Sequence, residues 1–213
     1  MQLYTYFRSS AAYRVRIALN LKGLTAEHIP VHLLKDGGQQ HGESYRSLNP
    51  QELVPTLVDG PHALTQSLAI CEYLDECHPQ PPLLPGDAAQ RAHIRAIALS
   101  IACDIHPVNN LRILQYLSNT LKVSDAQKTD WYLHWLRLGL DALETQIAPQ
   151  AGCCCVGDQP TLADLCLIPQ LYNARRYQLD PAQHWPTLAR IEQHCLSLPA
   201  FHDAAPEQQA DAA

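Results

Sequence analysis

The feature that most constrains this chain is the stretch "PQPPLLPGD" at residues 79–87, where four of nine residues are proline. Each proline removes a backbone donor and pushes the residue before it out of the helical region, so no helix or central strand can run through. The chain must divide there, and its texture differs on the two sides. Before the break, short apolar runs alternate with helical spacings; after it, from about Ala88, strand signals fade. The expected domains are 1–82 and 88–213.

Upstream, "QLYTY" reads as a strand, Ser10 to Lys22 places Val15, Ala18 and Leu19 with Ile17 and Leu21 at helical spacings, and "AEHIPVHL" alternates again. Gly23 supplies the helix stop. A strand, helix, strand order implies parallel strands joined by a crossover. "VPTLVDG" and "HALTQ" then flank a DG turn, and "SLAICEYLDEC" carries Leu68, Cys71 and Leu74 at helical spacing. The first half is therefore a small βαβ-ββα domain. Downstream, helices are expected over 88–120 with an interruption at Pro107, and over 125–148, 161–174 and 187–197. The final "APEQQADAA" has too little apolar content to pack and is expected to be disordered.

An apolar content of 46% with 17% charged residues suits a soluble globular chain. No run approaches the roughly 18 apolar residues of a membrane span. The opening "MQLYTYFRSS" lacks a signal peptide's apolar segment, so a cytoplasmic protein is expected. A net charge of −6 argues against general attraction to nucleic acid. The eight cysteines form no C-x-x-C, and adjacent Cys153, Cys154 and Cys155 cannot all face one metal, so free thiols and no metal site are expected. H-E-x-x-H, P-loop, G-x-G-x-x-G and G-x-S-x-G patterns are absent.

Several residues carry chemistry in either of two ways. Ser9 and Ser10 stand where the first helix begins; a serine there caps orphan amides, or its hydroxyl and the positive helix end stabilise a ligand anion such as a thiolate. Gln66-Ser67 poses the same choice, with Ser67 capping a helix from Leu68 or its amides holding a carboxylate. Thr161-x-x-Asp164 is a capping pattern. Arg8, Arg14, Arg16, Arg112, Arg175 and Arg176 are candidates for carboxylate recognition through the planar guanidinium fork. Arg175 and Arg176, being adjacent on a helix, cannot both enter one site. His106-Pro107 with Asn109-Asn110 breaks a helical run with polar groups that would line a cleft.

The order βαβ-ββα, a proline linker and a helical second half resembles the glutathione transferase architecture: an α/β thioredoxin-like N-terminal domain followed by an all-α C-terminal domain. "VPTL", "QSLAICEYL" and "VGDQPTLADLCLIP" match that family's landmarks. "YFRSSAAYRVRIAL" is similar to the zeta-class signature S-S-C-x-W-R-V-R-I-A-L, and "LLKDGGQQ" and "LNPQELVPTL" continue the match. The class includes maleylacetoacetate and maleylpyruvate isomerases. Here Ala11 stands at the signature's cysteine and Tyr13 at its tryptophan. A protein thiol at that position is therefore excluded, and the thiol would come from glutathione.

The resemblance implies glutathione as cofactor, with Ser9 or Ser10 by its sulfur, Val54 before a cis Pro55 on its cysteinyl backbone, Gln66 and Ser67 on its γ-glutamyl end and Gln40 near its glycyl side. It also aligns His106, Asn110, Arg112 and Arg176 with active-site positions of the second domain. The implied reaction is cis-trans isomerisation of a small dicarboxylic keto acid, with Arg8, Arg112 and Arg176 clamping carboxylates and Arg14 and Arg16 left to the scaffold or surface. Maleylacetoacetate is the favoured substrate, maleylpyruvate the alternative. A general conjugating transferase or a silent binding protein are rivals, and a homodimer is implied.

Overall fold

The computed structural model describes residues 1–212. It forms two compact units, one built from Met1–Leu83 and residues 196–212, the other from Leu84–Cys195. The terminal segment, assigned by its sequence to the helical half, thus packs with the first unit instead.

In the first unit, β1 (Gln2–Thr5), β2 (Glu27–Pro30), β3 (Thr56–Asp59) and β4 (His62–Thr65) form one sheet in the order β2-β1-β3-β4. β1 is parallel to β2, with Leu3 opposite His28, and antiparallel to β3, with Leu3 opposite Leu57. β4 is antiparallel to β3 through the turn at Gly60, whose φ of 56° suits glycine. The parallel pair follows from its crossover helix α1 (Ser10–Leu21), which packs beside α3 (Ser67–Cys77). Leu3, Val15, Ile17, Leu57, Ile70 and Leu74 are fully buried, each contributing ~1.5–3 kcal/mol. A short helix α2 (Glu43–Leu48) lies between β2 and β3 in the chain, without a signal of its own because six residues are too few to show a helical period.

α1 is buried on every side from Ala12 to Leu19, including Arg14 and Arg16. The chain terminus explains how: Tyr13 Oη donates to the Phe201 carbonyl at 3.1 Å, Asn20 Nδ2 to Ala200 at 3.0 Å and Arg16 Nε to Ala204 at 2.9 Å. These carbonyls belong to or follow α10 (Pro199–His202), one turn too short to satisfy its own. Farther on, Asp211 Oδ2 accepts from the Phe7 amide at 2.9 Å. Over 205–212 the expectation of disorder fails, because Asp211 holds the Phe7 amide and Gln209 Nε2 donates to the Asp203 and Ala205 carbonyls, polar contacts that a low apolar content does not preclude; residue 213 lies outside the described residues.

The second unit is helical: α4 (Ala88–Leu99), α5 (Leu111–Asn119), α6 (Asp125–Ile147), α7 (Leu162–Arg176), α8 (Pro181–His184) and most of α9 (Pro186–Leu196). The run expected over 88–120 is in three parts. α4 passes into a π-helical turn at Ser100–Ile105, then a 3-10 turn at Pro107–Asn109, before α5. Asp164 Oδ2 accepts from the Thr161 amide at 2.8 Å and its hydroxyl at 3.0 Å, which is the capping role read from the sequence. Its Oδ1 accepts from the Cys155 amide at 2.8 Å, tying the preceding loop to the helix start. Among the described residues, no helix is long and apolar enough to cross a membrane.

Candidate functional site

β1, β2 and β4 run one way and β3 the other, so the ends of the first three and the start of the fourth share one end of the sheet. Arg8, Ser9 and Ser10 follow β1, Gln40 follows β2, Val54 precedes β3, and Gln66 and Ser67 follow β4. Arg8, Ser9, Ser10, Val54, Gln66 and Ser67, each close in sequence to a strand terminus, therefore emerge at that end.

Ser9 is the N-cap of α1, its Oγ accepting from the Ala12 amide at 3.2 Å. Ser10 is the first helical residue and is buried. The capping bond uses a lone pair of Ser9 and leaves its O–H as a donor, so both readings of this serine hold together. Arg8 Nη2 donates to Tyr6 Oη at 3.2 Å, and its guanidinium stands 5.1 Å from the Phe7 ring centroid. The Val54-Pro55 peptide is cis, and Val54 packs with Tyr6, Val31 and Tyr45.

At α3 the helix starts one residue earlier than expected: Ser67 is its first residue and Gln66 stands at the cap. Gln66 has φ 69° and ψ 113°, a conformation a non-glycine residue holds only when its surroundings enforce it. Its Nε2 donates to Gln51 Oε1 at 2.8 Å. Gln40 is 5% exposed, and its buried Oε1 has no partner. Gly38, at φ 103°, holds this turn; a Cβ there would lie 2.7 Å from Gln40 Nε2.

In the helical unit, the His106 amide donates to Ile101 at 2.9 Å, closing the π-helical turn. Asn110 caps α5, its Oδ1 accepting from the Arg112 amide at 3.1 Å, while the Arg112 side chain is exposed. The adjacent arginines of α7 diverge as expected. Arg175 forms two bonds to Glu192, at 3.1 and 2.6 Å, and this hydrogen-bonded carboxylate raises its pKa. Arg176 is exposed, its Nη1 donating to Asn173 Oδ1 at 3.5 Å.

One feature of this unit escaped the sequence reading. Tyr132 and Tyr177 stack at 3.6 Å, and burial pushes both phenols up while Arg176 pulls them down. Asn109, expected to line a cleft, is instead buried and donates to the Tyr132 carbonyl at 3.1 Å. Arg14 and Arg16, expected on the scaffold or surface, are both buried, and burial lowers Arg16 to about 10. Arginine spacing gave a weak hint, since both lie on an otherwise apolar helix.

None of the eight cysteines is joined in a disulfide among the described residues. The thiols of Cys154 and Cys195 and a carboxylate oxygen of Asp164 lie within 4.8 Å of one another. The Asp164 oxygens already accept the amides that cap α7, so the cluster serves the helix start. Its contact with Cys154 and burial push the Cys195 thiol up, and burial does the same to Cys155. Burial of this kind disfavours the thiolate.

The sheet order, the cis-proline ahead of β3 and the paired helix starts define a thioredoxin-like domain, here joined to a helical one. Family models agree: residues 3–82 match the glutathione S-transferase N-terminal domain and residues 133–199 its C-terminal domain. The chain belongs to the glutathione S-transferase family. It is 54% identical to a probable maleylacetoacetate isomerase of Vibrio cholerae, over 99% of this chain and 97% of the relative. Among solved structures, it resembles holo maleyl pyruvate isomerase, a bacterial zeta-class glutathione S-transferase, with 45% identity and TM-score 0.95 over 100% of both chains. A maleylacetoacetate isomerase from Methylobacterium extorquens AM1, with bound malonate and GSH, is 38% identical with TM-score 0.95, again over 100% of both.

Proposed function

We propose that this protein is a glutathione-dependent cis-trans isomerase acting on maleylacetoacetate. The observation that carries the reading is the convergence of two polar helix starts, Ser9 on α1 and Gln66-Ser67 on α3, at one end of the sheet. The first suits a thiolate and the second a carboxylate, the two anionic ends of a γ-glutamyl-cysteinyl unit. The orphaned Gln40 Oε1 adds an acceptor for an amide N–H. These residues fit glutathione.

Bound glutathione would supply the nucleophile that adds to the activated double bond and leaves again after rotation. The protein's part is to hold charge and orientation. Ser9 donates its O–H to the sulfur while the end of α1 favours the thiolate. The family resemblance offers Arg8 in the first unit and, taken separately, Arg112 and Arg176 in the second for carboxylate and enolate charge, for which the guanidinium fork is suited. The bound malonate of the Methylobacterium relative supports a dicarboxylate reading.

Maleylpyruvate is a second reading, favoured by the structural match to maleyl pyruvate isomerase. The reading also carries a homodimer in a reducing cytoplasm, consistent with eight cysteines that form no disulfide among the described residues. The test follows isomerisation of both keto acids with and without catalytic glutathione. Turnover should require glutathione, leave it unconsumed and be faster with maleylacetoacetate. Conjugation that consumes glutathione, with neither acid isomerised, would move the assignment to a general transferase.

A further inference from the structure

Arg14 is 2% exposed, yet of its side-chain nitrogens only Nη1 has a partner, donating to Ser67 Oγ at 3.2 Å. Nε and Nη2 are buried without an acceptor. Arg16, two residues along the same helix, shows what a scaffold arginine looks like: its nitrogens reach the carbonyls of Ala204, Tyr6 and Phe7 and the Thr5 hydroxyl. A buried cation with unmade hydrogen bonds is costly unless an anion compensates it.

Ser67 opens the eleven-residue α3, where the helix end itself favours an anion. With Nη1 occupying a lone pair of Ser67 Oγ, the hydroxyl proton is free to point away from Arg14. Gln66, at φ 69°, fixes the backbone entering the helix.

We propose that Arg14 is the positioning residue of this helix start: its guanidinium holds Ser67 Oγ as a donor and supplies the buried counter-charge for a ligand α-carboxylate seated there. The inference rests on the reading of the sheet end as a glutathione site, and assigns the γ-glutamyl carboxylate as the anion. Arg14 need not touch the ligand; it acts through Ser67 and through its field, which is weakly screened at such burial.

The test is calorimetric titration of the full chain with glutathione and with γ-aminobutyryl-cysteinylglycine, which keeps the amine and lacks the α-carboxylate. The wild type should prefer glutathione by about 10-fold or more. Arg14→Gln should abolish that preference while binding the analogue as the wild type does, and Arg14→Lys should keep part of it. A purely structural arginine would instead weaken both ligands alike, and a preference retained in Arg14→Gln would overturn the proposal. No preference in the wild type would overturn the carboxylate assignment at Ser67 itself, a different failure. A measurement on the unmodified protein covers variants that fail to fold. The Arg14 Nε–H resonance should shift with glutathione and not with the analogue; equal shifts would contradict the assignment.

Discussion

At the scale of single residues, neighbours with identical side chains have different tasks. Arg175 is bound to Glu192, whose side chain is 4% exposed, whereas Arg176 has no carboxylate partner among the described residues. Arg175→Ala should therefore lower stability by about 1–2 kcal/mol, the half-exposed arginine limiting the loss, and leave kcat close to wild type. Arg176→Ala should leave the melting temperature unchanged and reduce kcat/KM about 100-fold. Thermal unfolding and steady-state kinetics on the two variants check the contrast; a reversed pattern would exchange their roles. The adjacency of the pair in sequence sufficed to predict that they part. It could not say which one Glu192 takes, because that acid comes from α9.

Elements with their own period or cap were legible before the structure: β1, α1, the β3-β4 hairpin, α3 and the Thr161-Asp164 start of α7 all carry local signals. α2 and the turns at 35–37 and 39–41 do not, being too short for periodicity. The π-helical turn ahead of His106 depends on packing instead of local preference. Gly139 of α6 permits it: a Cβ there would come within 2.3 Å of Ile105 Cγ1 and 2.4 Å of its Cδ1. Gly139→Ala should cost about 1–3 kcal/mol from overpacking, and displace the turn that presents His106. Denaturant unfolding gives the first quantity, and the His106 ring resonances report the second. An unchanged midpoint would show that Ile105 adapts freely.

Over the whole molecule, the proline stretch announced the passage between units, but the return of the terminus to the first unit had no local signal. Its contacts with α1 are between backbone carbonyls and polar side chains about 190 residues apart in sequence, a range at which pattern reading is blind. The candidate site was legible where family motifs cover it, at Ser9, Val54, Gln66 and Ser67. Arg14 was not, since its importance lies in bonds it lacks. What unites the first unit is topology: four strand ends bring serines, a strained glutamine and a buried cation to one end of a small sheet. The central claim is that this end holds a thiol as its anion. Ultraviolet difference titration of the glutathione complex measures that directly. Ionisation should fall at least about one unit below the free thiol's ~8.5; a bound thiol titrating at or above the free value would rule out a stabilised thiolate at this end.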